Sequence, residues 1–284
     1  MMLQIQNLRK DYDTCSVQCT LQVKKGYITG LIGQNGAGKS TTFKLILNLI
    51  SADGGSGTLF GHDITTLGVK EKEKIGVVLS DSGFSNYLTI NDLVPILKGF
   101  YPEFDQAYFI KQCERFGLPM KKKMKEFSTG MKMKVKLLVA LSHKASFLIL
   151  DEPTAGLDVI ARNEVLEMIQ EFMEEDEERA VLISSHIATD LEQLCDDFYM
   201  IHDGNIVMHE ETDRLLSDYA ILKVTEEQLK ALDQQYIIKK KKEPYGYQCL
   251  TKEKQFFTDN YKELAIEKSG IDEFLYIMIR GEDV

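Results

Sequence analysis

The sequence lacks an excess of basic residues. Lys and Arg number 34 against 44 Asp and Glu, which gives a formal net charge of −10. Proteins that bind nucleic acid usually present a basic footprint to the phosphates. The charge balance therefore argues against nucleic acid as the main partner.

Long apolar runs and paired cysteines are missing as well. No uninterrupted apolar stretch reaches the roughly 18 residues of a membrane span, and the first residues lack the regions of a signal peptide. The five cysteines include no C-x-x-C pair, and Cys15 and Cys19 have no further Cys or His to complete a metal set. An odd number of cysteines without a C-x-x-C pair predicts reduced thiols in the cytosol. The 44% hydrophobic content is typical of a soluble globular protein with one large or two modest domains.

A glycine-rich stretch dominates what is present. It fits the pattern G-x-x-x-x-G-K-[ST], lies between a short apolar run (27–32) and a segment that can continue as a helix (42–50), and comprises Gly33, Gln34, Asn35, Gly36, Ala37, Gly38, Lys39, Ser40 and Thr41. Backbone N–H groups of such a loop close around phosphate oxygens, and the helix start adds partial positive charge. Lys39 can reach the terminal phosphates, and the Ser40 hydroxyl can coordinate Mg²⁺. An accidental glycine turn is the alternative, and the strand and helix on either side argue against it.

Two adjacent acids follow a continuous apolar run at 147–150, which predicts a parallel strand buried on both faces. Ligands bind at the carboxyl ends of such strands. Asp151 can hold the Mg²⁺ shell, and Glu152 can orient or deprotonate a water. Considered alone, the two acids are explained equally well as the point where the chain leaves the strand and enters solvent. Together with the glycine loop, it favours a catalytic site.

Three further residues have a structural and a functional interpretation each. Asp158 precedes a long helix and can be its N-cap. His186 ends the apolar run 180–183, where it either starts a helix or contacts a γ-phosphate. Tyr12 either packs at a strand end or stacks on a nucleotide base. Sequence physics alone favours packing for Tyr12.

The chain alternates between strand-rich and helix-rich segments. Alternating apolar residues predict strands near the start, and residues 53–57 are interpreted as a loop. Helical patterns predict a helical insertion over about 83–143 in an α/β scaffold, with a capping box at Thr89–Asp92. The basic run 121–125 is interpreted as a solvated connection. Residues 217–284 show a βαββαβ order, which suggests a small ferredoxin-like α+β unit, and end in an amphipathic helix.

In their order, these motifs resemble the ATP-binding subunit of an ATP-binding cassette (ABC) transporter over residues 1–216. Gly33 to Ser40 looks like the Walker A loop, and residues 147–153 look like Walker B with Glu152 as the catalytic base. Asp158 lies in a segment similar to the D-loop, and His186 resembles the switch histidine. Tyr12 takes the place of the adenine-stacking aromatic, which reverses the preference for packing.

Two positions depart from the family pattern. Phe127 is followed by Ser128, Thr129, Gly130 and Met131 where the family has Leu-Ser-Gly-Gly-Gln. This form resembles ABC-2-type exporters, including bacitracin-resistance and phenol-soluble-modulin exporters. At the Q-loop, Ser80 and then Asp81 stand where the family has glutamine. A serine there could ligate Mg²⁺ less well, or Asp81 could act through water.

The resemblance implies a P-loop NTPase (RecA-like) core with an N-terminal antiparallel β subdomain, and ATP and Mg²⁺ as cofactors. It implies that a second nucleotide-binding subunit, identical or related, contributes its signature residues from Ser128 in trans. It also implies separate permease subunits, no nucleic acid, and a peripheral place on the cytoplasmic face of the cell membrane. The implied function is ATP hydrolysis that drives export of a peptide, drug or lipid-like substrate.

Two other functions stay open. The chain could be the motor of an importer whose tail (217–284) binds a nutrient as a regulatory domain. It could also be a cassette ATPase acting on DNA or ribosomes, although its acidity and the lack of a long coiled coil argue against this. In the tail, Lys239–Lys242 either touch anionic headgroups or belong to an exposed strand.

Overall fold

The computed structural model describes residues 1–283 as two compact units. The first consists of Met1–His186 and Tyr199–Val207, and the second of Ile187–Phe198 and the residues from Met208 onward. No helix of the described part is long and apolar enough to cross a membrane. Each unit has its own sheet.

The strands and helices follow one another along the chain with short connections. The strands are β1 (Leu3–Asp11), β2 (Ser16–Val23), β3 (Ile28–Ile32), β4 (Gly54–Leu59), β5 (His62–Asp63), β6 (Ile75–Val78), β7 (Phe147–Asp151), β8 (Ala180–Ser185), β9 (Asp197–His202), β10 (Asn205–Glu211), β11 (Ala220–Val224), β12 (Ile237–Glu243), β13 (Gly246–Thr251) and β14 (Ala265–Lys268). The helices are α1 (Lys39–Ile46), α2 (Val69–Lys72), α3 (Ile90–Phe100), α4 (Gln106–Arg115), α5 (Thr129–Leu141), α6 (Val159–Glu174), α7 (Ala188–Leu194), α8 (Thr212–Asp218), α9 (Glu226–Ala231), α10 (Lys254–Asn260) and α11 (Ile271–Arg280).

The sheet of the first unit has the order β5-β4-β1-β2-β10-β9-β3-β8-β7-β6. Strands β3, β8, β7 and β6 run parallel, whereas β1, β2, β4 and β5 pair antiparallel. Every residue of β3, β7 and β8 is buried, as expected for parallel strands covered on both faces. In β2, exposed and buried residues alternate, because one face packs on the core. The α/β class and the N-terminal antiparallel strands are confirmed.

The interpretation of residues 53–57 as a loop was wrong from Gly54 onward. Gly54–Leu59 forms β4, and Gly57 pairs with Ile5 of β1. Glycine is required here because the backbones approach so closely: a Cβ on Gly55, whose φ is +82°, would lie 2.1 Å from the carbonyl oxygen of Asn7. The same glycines that suggested a loop allow the strand to pair.

Helices α3, α4 and α5 lie between β6 and β7, and the predicted capping box at the start of α3 is confirmed. Thr89 and Asp92 form the expected capping box at α3. Asp105 caps α4 by accepting from the N–H of Tyr108 at 2.9 Å, and Gly117 follows the helix with a φ of +61°. In the basic run, the lysines are exposed while Met124 is buried in a short 3₁₀ turn. The segment is therefore a connection with one residue in the core.

The second unit contains the predicted βαββαβ order. Its sheet has the strand order β12-β13-β11-β14 with antiparallel pairing throughout, the arrangement of a ferredoxin-like split βαβ. Helices α9 and α10 contribute Leu229 and Phe257 to one core. The lysines of 239–242 lie on the edge strand β12, where Lys239 pairs with Asp283 at 2.7 Å. Lysines on an edge strand discourage pairing with another chain.

Candidate nucleotide site

The glycine loop connects β3 to α1, as the sequence predicts. Gly38 precedes α1 with a φ of +111°, and no side chain caps the helix start. A Cβ on Gly33 would lie 2.4 Å from the carbonyl oxygen of Ile201, so only glycine fits there. The loop can therefore stay tight against the sheet and leave its N–H groups for an anion.

Lys39 is held inside the loop. It is 6% exposed, and its ammonium donates to the carbonyl oxygens of Gly33 at 2.6 Å and Gln34 at 3.2 Å. The ammonium also lies 3.1 Å from Oε1 of Glu152. A lysine fixed in this way places its charge where the phosphates of a nucleotide would lie.

Asp151 accepts hydrogen bonds from hydroxyl groups of three neighbouring segments. Ser40 of α1 and Ser80, which follows β6, both donate to Oδ2 at 2.7 Å. Ser184 of β8 donates to Oδ1 at 2.7 Å. Asp151 is only 1% exposed, so a buried carboxylate needs these partners. They meet because β6, β7 and β8 are adjacent and parallel, and their carboxyl ends reach the same edge.

Glu152 has a strained backbone and a defined partner. Its φ is +53°, a conformation that residues other than glycine rarely adopt. The hydroxyl of Ser184 accepts from the Glu152 N–H at 3.0 Å, and Nδ1 of His186 lies 2.6 Å from Oε2. The other oxygen, Oε1, is buried and accepts no hydrogen bond from the described residues, although it faces Lys39. The strained turn aims the carboxylate into the site.

Residues of the glycine loop, together with Ser80 and Glu152, line one cavity of about 290 Å³. Ser80 and Glu152 also line a neighbouring cavity of about 330 Å³, which extends to Thr129 and Met133 of α5. The structure thus brings together the predicted residues of the glycine loop, Asp151, Glu152 and His186.

The donor set at Asp151 fits a divalent cation. Mg²⁺ prefers hard oxygen ligands, typically one or two carboxylates together with phosphate oxygens and water. The carboxylate of Asp151 and the hydroxyl of Ser40 supply oxygen atoms beside the cavity. Within residues 1–283, no cluster of three His, Cys, Asp or Glu side chains offers another metal site.

The predicted signature and D-loop residues begin two helices. Ser128 caps α5 by accepting from the N–H of Met131 at 3.2 Å, and Asp158 caps α6 by accepting from Ala161 at 2.9 Å. Both caps are exposed, as is Thr129. Gly130 permits the two helices to pack closely, since a Cβ there would lie 2.7 Å from that of Ala161. For Asp158, the N-cap interpretation is confirmed.

Tyr12 and Asp81 lie outside this hydrogen-bonded cluster. Tyr12 follows β1 and is 46% exposed. Asp81 pairs with Lys44 at 2.6 Å, and this hydrogen bond lowers the pKa of Asp81 and raises that of Lys44. Of the two residues at the Q-loop position, Ser80 contacts Asp151. The sequence analysis assigned no function to Ser184. Its position was a usable signal, because Ser184 lies near the end of β8, the strand that pairs with the strand of Asp151, and two residues before His186.

The fold and this site define a phosphate-loop nucleotide-binding protein. The family model for "ABC transporter" matches residues 17–155. The ABC transporter ATP-binding protein YtrB of Bacillus subtilis is 34% identical over 221 residues, covering 77% of this chain and 75% of that protein. The lantibiotic transport ATP-binding protein SrtF of Streptococcus pyogenes is 32% identical over 216 residues, covering 75% of this chain and 92% of its own.

A solved structure described as the ATP-binding subunit of an ABC transporter is also similar. It superimposes with a TM-score of 0.67 at 27% identity, covering 76% of this chain and 92% of the other. The chain belongs to the ABC transporter ATP-binding family. It is an ABC ATPase with a P-loop NTPase fold, and the expected resemblance is confirmed.

Proposed function

We propose that this chain binds and hydrolyses MgATP at the interface of two nucleotide-binding subunits and thereby drives export through separate permease subunits. The observation that carries the proposal is the contact network of Lys39, Ser40, Asp151, Glu152 and His186, because Lys39, Ser40 and Glu152 of this network line one cavity. These side chains supply a cation for phosphates, oxygen donors for a metal, and a carboxylate base with an imidazole partner.

In this proposal, the loop residues 33–41 hold the phosphates through their N–H groups and Lys39. The ring of Tyr12, exposed beside the first strand, stacks on the adenine. A Mg²⁺ ion held by Ser40 and Asp151 would supply positive charge to the phosphate oxygens. Lys39 then exchanges its contact with Glu152 for the phosphates, which frees Oε1.

Glu152 acts as the general base through Oε1. Its other oxygen is occupied by the ring and N–H of His186, and its main chain is fixed by Ser184. The side chain therefore cannot rotate away from the cavity when Oε1 accepts a proton from water. In this proposal His186 holds the carboxylate in place and also contacts the γ-phosphate. A positioned base of this kind contributes roughly 10²–10⁴-fold to the rate.

The second subunit contributes the signature residues. Ser128, Thr129, Gly130 and Met131 lie at the start of α5, where Ser128 and Thr129 are exposed. The positive end of this 13-residue helix can face a phosphate of the partner subunit. Asp158 begins α6 beside it. Nucleotide shared between two subunits would hold them together, and hydrolysis would release them.

Export is favoured by two observations. SrtF is named for lantibiotic transport, and the Thr-Gly-Met signature resembles that of ABC-2-type exporters. We therefore place the chain at the cytoplasmic face of the membrane, beside permease subunits that select a peptide, drug or lipid-like cargo. The tail (217–284) forms an accessory domain in this assembly.

The test is ATP binding by isothermal titration calorimetry with Mg²⁺ present. The wild-type chain should bind ATP, and Lys39→Ala should weaken binding by at least tenfold, because a charge-assisted contact to phosphate is worth about 1.5–3 kcal/mol. Lys44→Ala is the matched control, since Lys44 lies in the same helix but pairs with Asp81. Equal affinities for Lys39→Ala and wild type would refute the phosphate cradle. Copurification with a hydrophobic permease tests the assembly separately.

A further inference from the structure

A cavity of about 330 Å³ lies at the amino ends of β6 and β7, the opposite end of these strands from Ser80 and Asp151. Lys74 immediately precedes β6, and Lys144 lies shortly before β7. The cavity shares no lining residue with the two cavities beside Glu152. We call it the lysine cavity, and its other lining residues are Lys70, Glu73, Tyr101, Pro102, Glu103 and His143.

The walls of the lysine cavity are held together by main-chain hydrogen bonds and a pair of stacked rings. The N–H of Ser146 donates to the carbonyl oxygen of Lys74 at 2.9 Å. The rings of Tyr101 and His143 stack with centroids 4.1 Å apart, and Nδ1 of His143 lies 2.9 Å from the carbonyl oxygen of Glu73. Three segments that are distant in sequence are therefore fixed around one concave surface, as in most small-molecule sites.

The charged side chains of the cavity leave two lysines without a carboxylate partner. Lys144 pairs with Glu103 at 2.8 Å. Lys70 and Lys74 are exposed, and neither forms an ion pair within residues 1–283. Together with Glu73, the lining carries three ammonium groups and two carboxylates, in a chain whose net charge is −10. The cavity thus has an excess of positive charge that the chain as a whole lacks.

We propose that the lysine cavity binds a small soluble phosphate monoester, whose phosphate group contacts Lys70 and Lys74. Such a group carries about −1.5 to −2 charges near pH 7, which matches two ammonium groups without carboxylate partners. The organic part of the ligand packs against Tyr101 and Pro102, which supply apolar surface to the cavity. The ammonium of Lys74 lies 5.8 Å from the ring centroid of Phe60, a contact that leaves its N–H donors for phosphate oxygens. This site is separate from the proposed MgATP site and does not depend on it.

The test follows the ring resonances of His143 by NMR in the full chain labelled at histidine, with inorganic phosphate and phenyl phosphate as probes. His143 lines the cavity, so a dianion bound there shifts its resonances, whereas phosphate at the glycine loop acts near His186. The variant His143→Phe assigns the signal. At constant ionic strength, both probes should give saturable shifts. Phenyl phosphate should bind more tightly, because its ring contacts Tyr101 and Pro102.

Lys70→Ala and Lys74→Ala should each weaken the binding of phenyl phosphate by about tenfold or more, the loss expected for a charge-assisted contact. Lys72→Ala is the matched control, since Lys72 is exposed on α2 between these lysines but does not line the cavity, and it should change nothing. The absence of a saturable His143 shift with either probe, or an equal loss in Lys72→Ala, would overturn the site. Equal affinities for the two probes would overturn the monoester assignment. Vesicles of phosphatidic acid carry the same group in a lipid, and Lys74-dependent sedimentation with them would overturn the soluble source.

Discussion

Nδ1 of His186 lies 2.6 Å from Oε2 of Glu152, across the ends of two neighbouring parallel strands. The imidazole fixes one carboxylate oxygen, and the strained backbone of Glu152 directs the other into the cavity. Two residues that are 34 positions apart thus form one functional pair. Its geometry yields the first prediction.

Replacing Glu152 with Gln should lower kcat by roughly 10²–10⁴-fold, since the amide keeps the shape but cannot accept the proton of water. ATP affinity should remain, because Lys39 and the loop are intact. The measurements are steady-state phosphate release and calorimetric ATP binding. Glu174→Gln, at the exposed end of α6, is the matched control and should leave kcat unchanged. Near-normal turnover in Glu152→Gln would remove Glu152 from the role of base.

The second prediction concerns the pair of helices that begin at Ser128 and Asp158. Lys134 of α5 is buried and lies 2.8 Å from a carboxylate oxygen of Glu164 of α6, whose side chain is 31% exposed. Removing one partner leaves a poorly hydrated charge, so Lys134→Met should lower the free energy of unfolding by about 2 kcal/mol. Urea denaturation of the four members of a double-mutant cycle with Glu164→Gln should give a clear coupling energy.

The exposed pair Lys144–Glu103 serves as the control for this cycle. Its side chains are 70% and 63% exposed, so solvent screens the two charges and the coupling energy of this pair should be smaller than that of Lys134–Glu164. If the Lys134–Glu164 coupling is no larger than this control, the ion pair does not stabilise the packing of α5 on α6. Nucleotide binding to the Lys39 loop should not change in either case.

The third prediction uses the thiols. Cys15 is exposed, whereas the other four cysteines are buried. Burial raises the pKa of Cys19 and Cys113 to about 12 and that of Cys249 to about 11, and it raises the pKa of Cys195 well above its usual range. Buried neutral thiols react slowly with disulfide reagents. Titration with Ellman's reagent should therefore detect one fast thiol in the folded chain and all five after unfolding.

Cys15→Ser should abolish the fast phase of this titration and leave the slow thiols unchanged. A second fast thiol in that variant would show that one of the buried cysteines becomes accessible by local opening. The two cysteines near the start of the chain differ because Cys19 points inward from β2, whereas Cys15 lies in the exposed connection before this strand.

The site also shows how far the sequence can predict this structure. The glycine loop, the acids at the end of β7 and His186 after β8 were predicted because each lies at the end of a strand with a local sequence pattern. The sequence did not predict the contact of Ser80 with Asp151, because this contact depends on β6 lying next to β7. The order of strands in a sheet depends on packing over the whole unit, and no local sequence pattern predicts this order. For the same reason the sequence did not predict the glycine-rich start of β4, because its glycines are explained only by the close approach of β1.

The last prediction concerns His143, which is buried against the ring of Tyr101. The two rings stack with centroids 4.1 Å apart, and Nδ1 of His143 lies 2.9 Å from the carbonyl oxygen of Glu73. Burial lowers the pKa of His143 below its ordinary value of 6.5, because the charged ring is poorly solvated there. The unfolded chain therefore binds a proton at this residue at a pH where the folded chain does not.

The sign follows from proton linkage. As the pH falls below about 6.5, the unfolded state gains the proton first, so His143 makes the folded chain less stable at acidic pH and more stable above this range. His143→Phe keeps a stacked ring without a titrating group, and it should lose less stability than wild type between about pH 7 and about pH 5. Urea denaturation at each pH measures this difference, with His62→Phe as the same change at an exposed position. An unchanged pH dependence in His143→Phe would show that His143 is protonated as readily in the folded chain as in the unfolded one.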